Sequence, residues 1–270
     1  MNRDTAGAPL VGARDGDAGR LQEGRLPSVT GPVLAQTRAE LALMARRGEN
    51  VLITVIVPVV LLVFFASLGI VRSSTGRPVD FLLPGMLALA IIATGMVSLG
   101  IATAYERYYG VLKRLGASPL PRGGLIAAKA LSVLALEVAQ VALLVLVAAA
   151  GYGWRLHGSP GTALLALLLG TLAFSGLGLT MAGGLRAEAT LAGANGLYLL
   201  FLLLSDAVLP LNHLPGVLQD LAHVLPAAAL TDALRAALTA GAAFPGGPIA
   251  VLAAWAILTF GIAARTFKWE

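Results

Sequence analysis

The chain has 270 residues, 57% of them hydrophobic and only 12% charged, with a mean hydropathy of +0.84. A soluble domain carries roughly twice that charge, so the apolar excess calls for a bilayer and excludes a single soluble core. Cysteine is absent, which removes disulfides, thiolate metal sites and thiol redox work, and the basic residues behind the +5 charge lie scattered between apolar runs without aromatic interleaving, so nucleic acid is not the partner they suggest.

Residues 1–30 are rich in Gly, Asp and Arg, with no apolar run, and are expected to form a flexible tail. No short apolar core or small-residue cleavage site marks them as a signal peptide. From Val33 to Arg47 the pattern turns helical, with Val33, Leu34, Leu41, Met44 and Ala45 roughly on one side, as suits a helix lying in the headgroup plane; a plain cytosolic extension of the first span suits it equally. Six apolar segments come next, at about 51–71, 81–104, 125–150, 162–184, 191–209 and 248–264, each long enough to cross roughly 30 Å of hydrocarbon. Residues 31–270 are thereby expected to form one all-α, polytopic transmembrane domain.

Between the second and third segments lies the basic, turn-rich stretch Tyr105 to Lys129. Between the fifth and sixth, Pro215, Pro226 and the Pro245 to Pro248 cluster cut an apolar stretch into pieces too short to span. Two short interfacial or re-entrant helices are expected there, near 215–224 and 227–238, with Pro226 a firmer start signal for the second than Thr231. Lys and Arg outside the apolar segments number seven in the N-terminal tail, four in the second loop with Lys129 just beyond, one in the fourth loop and two at the C-terminus; the other loops hold only Arg72, Arg77, Arg155 and Arg235. Positive charge stays on the cytoplasmic side, which places both termini and the Tyr105 to Lys129 loop in the cytoplasm.

A phosphate-cradling turn needs Gly-Lys, whereas Lys113, Lys129 and Lys268 follow Leu112, Ala128 and Phe267, so the chain cannot hold ATP in that way. Ser175 in Ala-Phe-Ser-Gly lacks the first glycine of an intramembrane serine protease, and His213 and His223 have no adjoining carboxylate pattern for a metal. Glu137, in the middle of the third segment, and Gln140 on its face are either a polar stripe lining a transport path or hydrogen-bonded glue between helices. Gly176, Thr180 and Gly184, and separately Gly193, Asn195 and Gly196, make small-residue faces for close helix packing.

The loop carries Glu106-Arg107, then Gly110-Val111-Leu112-Lys113-Arg114-Leu115, Ser118-Pro119-Leu120-Pro121 and Ala128-Lys129. Together with Arg46-Arg47, Pro58 and Phe64-Phe65, and with Leu214-Pro215 and Leu225-Pro226 before the last span, this resembles the membrane subunit of type-2 ABC exporters, the group that includes bacterial drug and antibiotic efflux permeases. The loop is similar to that family's E-R-x-x-G-x-L-K-R-L-x-x-x-P-L signature, departing at Tyr108-Tyr109, where relatives often carry another acidic residue. The resemblance implies a permease without its own ATPase site, in the bacterial plasma membrane. Its implied partners are a separate subunit that binds ATP and Mg, a second permease copy or a sister permease, membrane lipids and a hydrophobic small-molecule substrate; a lipid-linked glycan is the alternative cargo. It also implies that Glu106, Arg107, Gly110, Leu112, Lys113, Arg114, Leu115 and Pro119 couple the permease to the ATPase. The physical form expected is a short helix from about Glu106 to Leu115 that presents Arg107, Lys113 and Arg114 while Leu112 and Leu115 fill apolar pockets.

Overall fold

The computed structural model describes residues 30–46, 48–68, 77–116, 121–207 and 215–266. Thr30 apart, the expected N-terminal tail lies outside these residues, as do Pro119 and His213. All regular structure among the described residues is helical: α1 (Thr30–Arg46), α2 (Gly48–Leu68), α3 (Pro78–Ile91), a π-helical segment (Ile92–Ser98), α4 (Leu99–Tyr108), α5 (Val111–Gly116), α6 (Arg122–Tyr152), α7 (Pro160–Gly184), α8 (Ala187–Leu204), α9 (Gly216–Val224), α10 (Pro226–Leu238) and α11 (Gly246–Thr266). Five of these paths are long and apolar enough to cross a membrane, namely 78–108, 123–152, 160–184, 187–204 and 246–265. The first expected span corresponds to α2, whose apolar part, Thr54–Leu68, is shorter than these five.

The strut of the bundle is the 31-residue path from Pro78 to Tyr108. Leu82, Leu83, Met86, Leu89, Ile91, Ile92, Met96 and Leu99 along it are all buried, because it is apolar all round and neighbours cover every face. At its middle the π segment widens the helix and brings Gly95 against Ser175 of α7. There Gly178 of α7 lies so close that a Cβ would stand 2.7 Å from the Met96 carbonyl oxygen and 2.8 Å from that of Gly95. Gly176 meets Thr259 of α11, and Thr180 donates to the Thr259 carbonyl at 3.0 Å, so part of the expected small-residue face on the fourth span packs within the chain.

At one end of the bundle Arg77 donates to the Gly153 carbonyl at 2.9 Å, and Arg235 pairs with Asp206 while standing 4.2 Å over the Phe81 ring. The two helices expected before the last span are there, α9 and α10, bent by 79° at Leu225–Pro226. Pro226 opens α10 as expected; Thr231 sits within the helix, bonded to the Ala227 carbonyl, and caps nothing. Alanine dominates the buried side of α10, and that small cross-section lets a short helix enter between spans.

Two boundaries differ from the sequence reading. The helical start of the third segment is at Arg122, so Lys129 lies more than a full turn inside α6, and Glu106 and Arg107 belong to the last turn of α4 and not to a separate loop helix. The inward stripe of α1 is Val33, Thr37, Glu40 and Met44, whereas Leu34 and Ala45, placed on the apolar side by pattern, are exposed. The reason is electrostatic: a fully buried ammonium on α6 draws Glu40 inward, and the rest of the helix rotates with it.

Candidate functional site at the Arg107 end

At the opposite end from Arg77, the site is built around Lys129. Its ammonium lies 2.9 Å from a Glu40 oxygen and 2.6 Å from a Glu106 oxygen, and all three residues are buried. An ammonium taken out of water needs such partners. One cation thereby ties α1, α4 and α6 together, and Gln36 donates to Glu40 from the preceding turn of α1 at 2.9 Å. Arg107, next in the chain, reaches the other way and donates to the carbonyls of Gly183, at 2.6 Å, and Leu185. Those carbonyls end α7, so the guanidinium satisfies a helix C-terminus that lacks enough amide donors.

Gly110 then breaks the chain. Its φ of +71° is left-handed, so the helix expected from Glu106 to Leu115 is two helices, α4 and α5, with a turn at Tyr109–Gly110. The turn sets α5 at a new angle to α4. Leu112 is buried in the chain's own core with Leu99, Leu125, Ile126, Val133, Leu179 and Ala263, and Leu115 packs at its edge. Leu112 therefore anchors α5 to the bundle and does not reach outward to a partner pocket. Lys113 and Arg114 are exposed on α5, and Tyr108, Tyr109 and Val111 are exposed beside them. Of the seven described loop residues singled out by sequence, one pair is turned to structural bonds (Glu106, Arg107), one to the core (Leu112, Leu115), one to the surface (Lys113, Arg114), and Gly110 makes the turn that separates them.

Beside this end opens a cavity of about 640 Å³. Its wall comes from α1 (Leu43, Met44), α2 (Thr54, Val57, Pro58), the π segment (Ala93, Val97, Ser98), α4 (Ala102, Tyr105, Tyr109) and α8 (Leu191, Asn195, Tyr198), with Glu40, Glu106 and Lys129 also in the lining. A π-helical turn bordering a cavity is a frequent mark of function. Glu137 and Gln140 are not in this wall. Gln140 stands behind it, accepting from Thr94 at 3.0 Å and donating to the Thr54 carbonyl at 3.2 Å, while Glu137 accepts from Thr171 of α7. The sequence reading overlooked Glu40, Tyr198 and the cavity. A lysine one turn inside an apolar segment was the available signal, since its charge requires a carboxylate from elsewhere.

A family model described as ABC-2 type transporter matches residues 33–239, from α1 to the end of α10. The chain belongs to the ABC-2 type transporter family. Two relatives place this ABC-2 domain among known proteins. ABC transporter G family member 20 of Dictyostelium discoideum is 30% identical over 160 residues, which is 58% of this chain and 22% of that protein. YvfS of Bacillus subtilis (strain 168), whose name describes a transport permease, is 26% identical over 200 residues, 71% of this chain and 79% of that protein. The aligned region thus spans about a fifth of the Dictyostelium protein and most of the Bacillus one. As a member of this family with several long apolar helices, the chain is the membrane-embedded part of a transporter.

Proposed function

We propose that this ABC-2 permease exports hydrophobic, drug-like or antibiotic-like small molecules across a bacterial plasma membrane, driven by a separate ATP-binding subunit. The observation that carries this reading is the cavity, whose 640 Å³ falls in the range of drug-sized sites and whose wall is largely aliphatic and aromatic. It opens at the end where Arg38, Arg46, Arg107, Lys113, Arg114, Arg186 and Arg265 gather, which the positive-inside rule assigns to the cytoplasm together with both termini. A cytoplasmic mouth suits loading for export.

Coupling to the ATPase is assigned to α5. Lys113 and Arg114 meet the partner, Leu112 and Leu115 fasten the helix to the bundle, and the Lys129 cluster passes its displacement to α1 and α6. Gly110 allows the angle between α4 and α5. A second permease copy closes the path along α2, where Ile56, Val57, Val60 and Phe64 are exposed. Gln140 braces the cavity wall on this reading, and Glu137 braces α6 against α7; export with an unaltered substrate range in Glu137→Gln would confine Glu137 to that bracing. The ATPase contact is tested by co-purification with the ATP-binding subunit. Lys113→Glu with Arg114→Glu should abolish capture while the permease still inserts, and retained capture would overturn the assignment.

A further inference from the structure

The charge of the cavity lining goes beyond a merely hydrophobic cargo. Among the described residues of the wall, the ionisable acids and bases of fixed charge are Glu40, Glu106 and Lys129, two carboxylates on one ammonium. Arg107 keeps its positive charge, but its guanidinium is directed at the Gly183 and Leu185 carbonyls and is not part of the wall. Counted over the wall alone, these three groups leave one negative charge in excess, beside an apolar cavity where a charge is poorly solvated. A cation bound in the cavity is placed to balance it.

The rest of the wall favours a cation. Tyr105 and Tyr109, both in the lining, stack with ring centroids 6.1 Å apart at 26°, and Tyr198 faces the same space from α8. Aromatic faces attract a cationic head and also bury apolar rings. We infer that this cavity selects amphiphilic monocations: a hydrophobic body against Val57, Pro58, Val97 and Leu191, and a single positive charge near Glu40 and Glu106. The inference rests on the reading of the cavity as the cargo site and adds its charge selectivity.

The native chain has no cysteine, so a single probe can be placed in the wall. The full chain carrying Ala102→Cys is reconstituted in nanodiscs of zwitterionic lipid, and maleimide labelling of that cysteine is followed in the presence of tetraphenylphosphonium, tetraphenylborate or neutral triphenylphosphine oxide. Tetraphenylphosphonium should protect at a concentration about tenfold lower than the neutral probe, which corresponds to about 1.4 kcal/mol of attraction to the excess carboxylate, and tetraphenylborate should protect least. Glu40→Gln or Glu106→Gln each brings the cluster to neutrality and should remove that tenfold preference; comparing probe ratios between variants cancels their partition into lipid. Protection by all three probes in the same order with and without the carboxylates would overturn the charge selection and leave the cavity as a site for hydrophobic cargo. Protection by none would overturn the cavity reading itself. Should neither glutamine variant insert, the phosphonium-to-borate order in the parent chain still decides.

Discussion

Replacing Lys129 by methionine isolates the ion cluster, because Met keeps the aliphatic stem and removes only the charge. Lys129 is fully buried and serves both Glu40 and Glu106, which are 4% and 8% exposed, so the change strands two carboxylates away from water. Breaking a buried pair from one side costs about 3–5 kcal/mol, and one cation shared by two acids argues for the upper part of that range. In a chain of this size each kcal/mol moves the melting midpoint by roughly 2–4 °C, so a fall on the order of 10 °C is expected. The midpoint is read as heat-induced loss of the monodisperse peak of detergent-solubilised protein on a sizing column. Adding Glu40→Gln and Glu106→Gln to Lys129→Met should restore most of the loss, since neutral amides replace the stranded anions, whereas Glu40→Gln alone keeps the Lys129–Glu106 pair and should cost much less. If Lys129→Met melts within about 2 °C of the parent, the claim that this buried charge holds α1, α4 and α6 together is wrong.

Other substitutions separate structural from surface roles. Gly178→Ala puts a methyl group into the Gly95 and Met96 carbonyls and should cost about 1–3 kcal/mol by pushing α7 off the π segment, visible in the same melting measurement. Arg107→Ala should destabilise the protein by about 1–3 kcal/mol through the unpaired end of α7, while Arg114→Ala leaves the melting midpoint in place and weakens capture of the ATP-binding subunit. Gly110→Ala meets no neighbouring atom but must adopt a φ of +71°, so about 1–2 kcal/mol of strain should appear as altered protease cleavage around α5 and reduced ATPase capture.

Most of the fold was legible in sequence because lipid imposes a single, length-based rule: an apolar run must be a helix that satisfies its own backbone. Each expected span falls within a few residues of its helix, and the Pro215 and Pro226 breaks found α9 and α10, since proline ends helices through local sterics alone. The candidate site was less legible. Charge pattern singled out Glu106 through Leu115 as a group, but it could not tell a cation pointing at solvent from one such as Arg107 that ends a helix 76 residues away. Nor could helical periodicity orient α1, where Glu40 turns inward against its hydrophobic pattern.

Composition, run length and the Glu106 to Leu120 signature by themselves determined that this chain is a polytopic α-helical permease of the ABC-2 type, because those properties depend on local sequence and on the bilayer's thickness. Only the tertiary structure decided which charges are spent internally and which are displayed. Lys129 finds Glu40 across 89 residues of sequence and brings two carboxylates to the wall of a cavity, and no local rule could have brought those residues to one point.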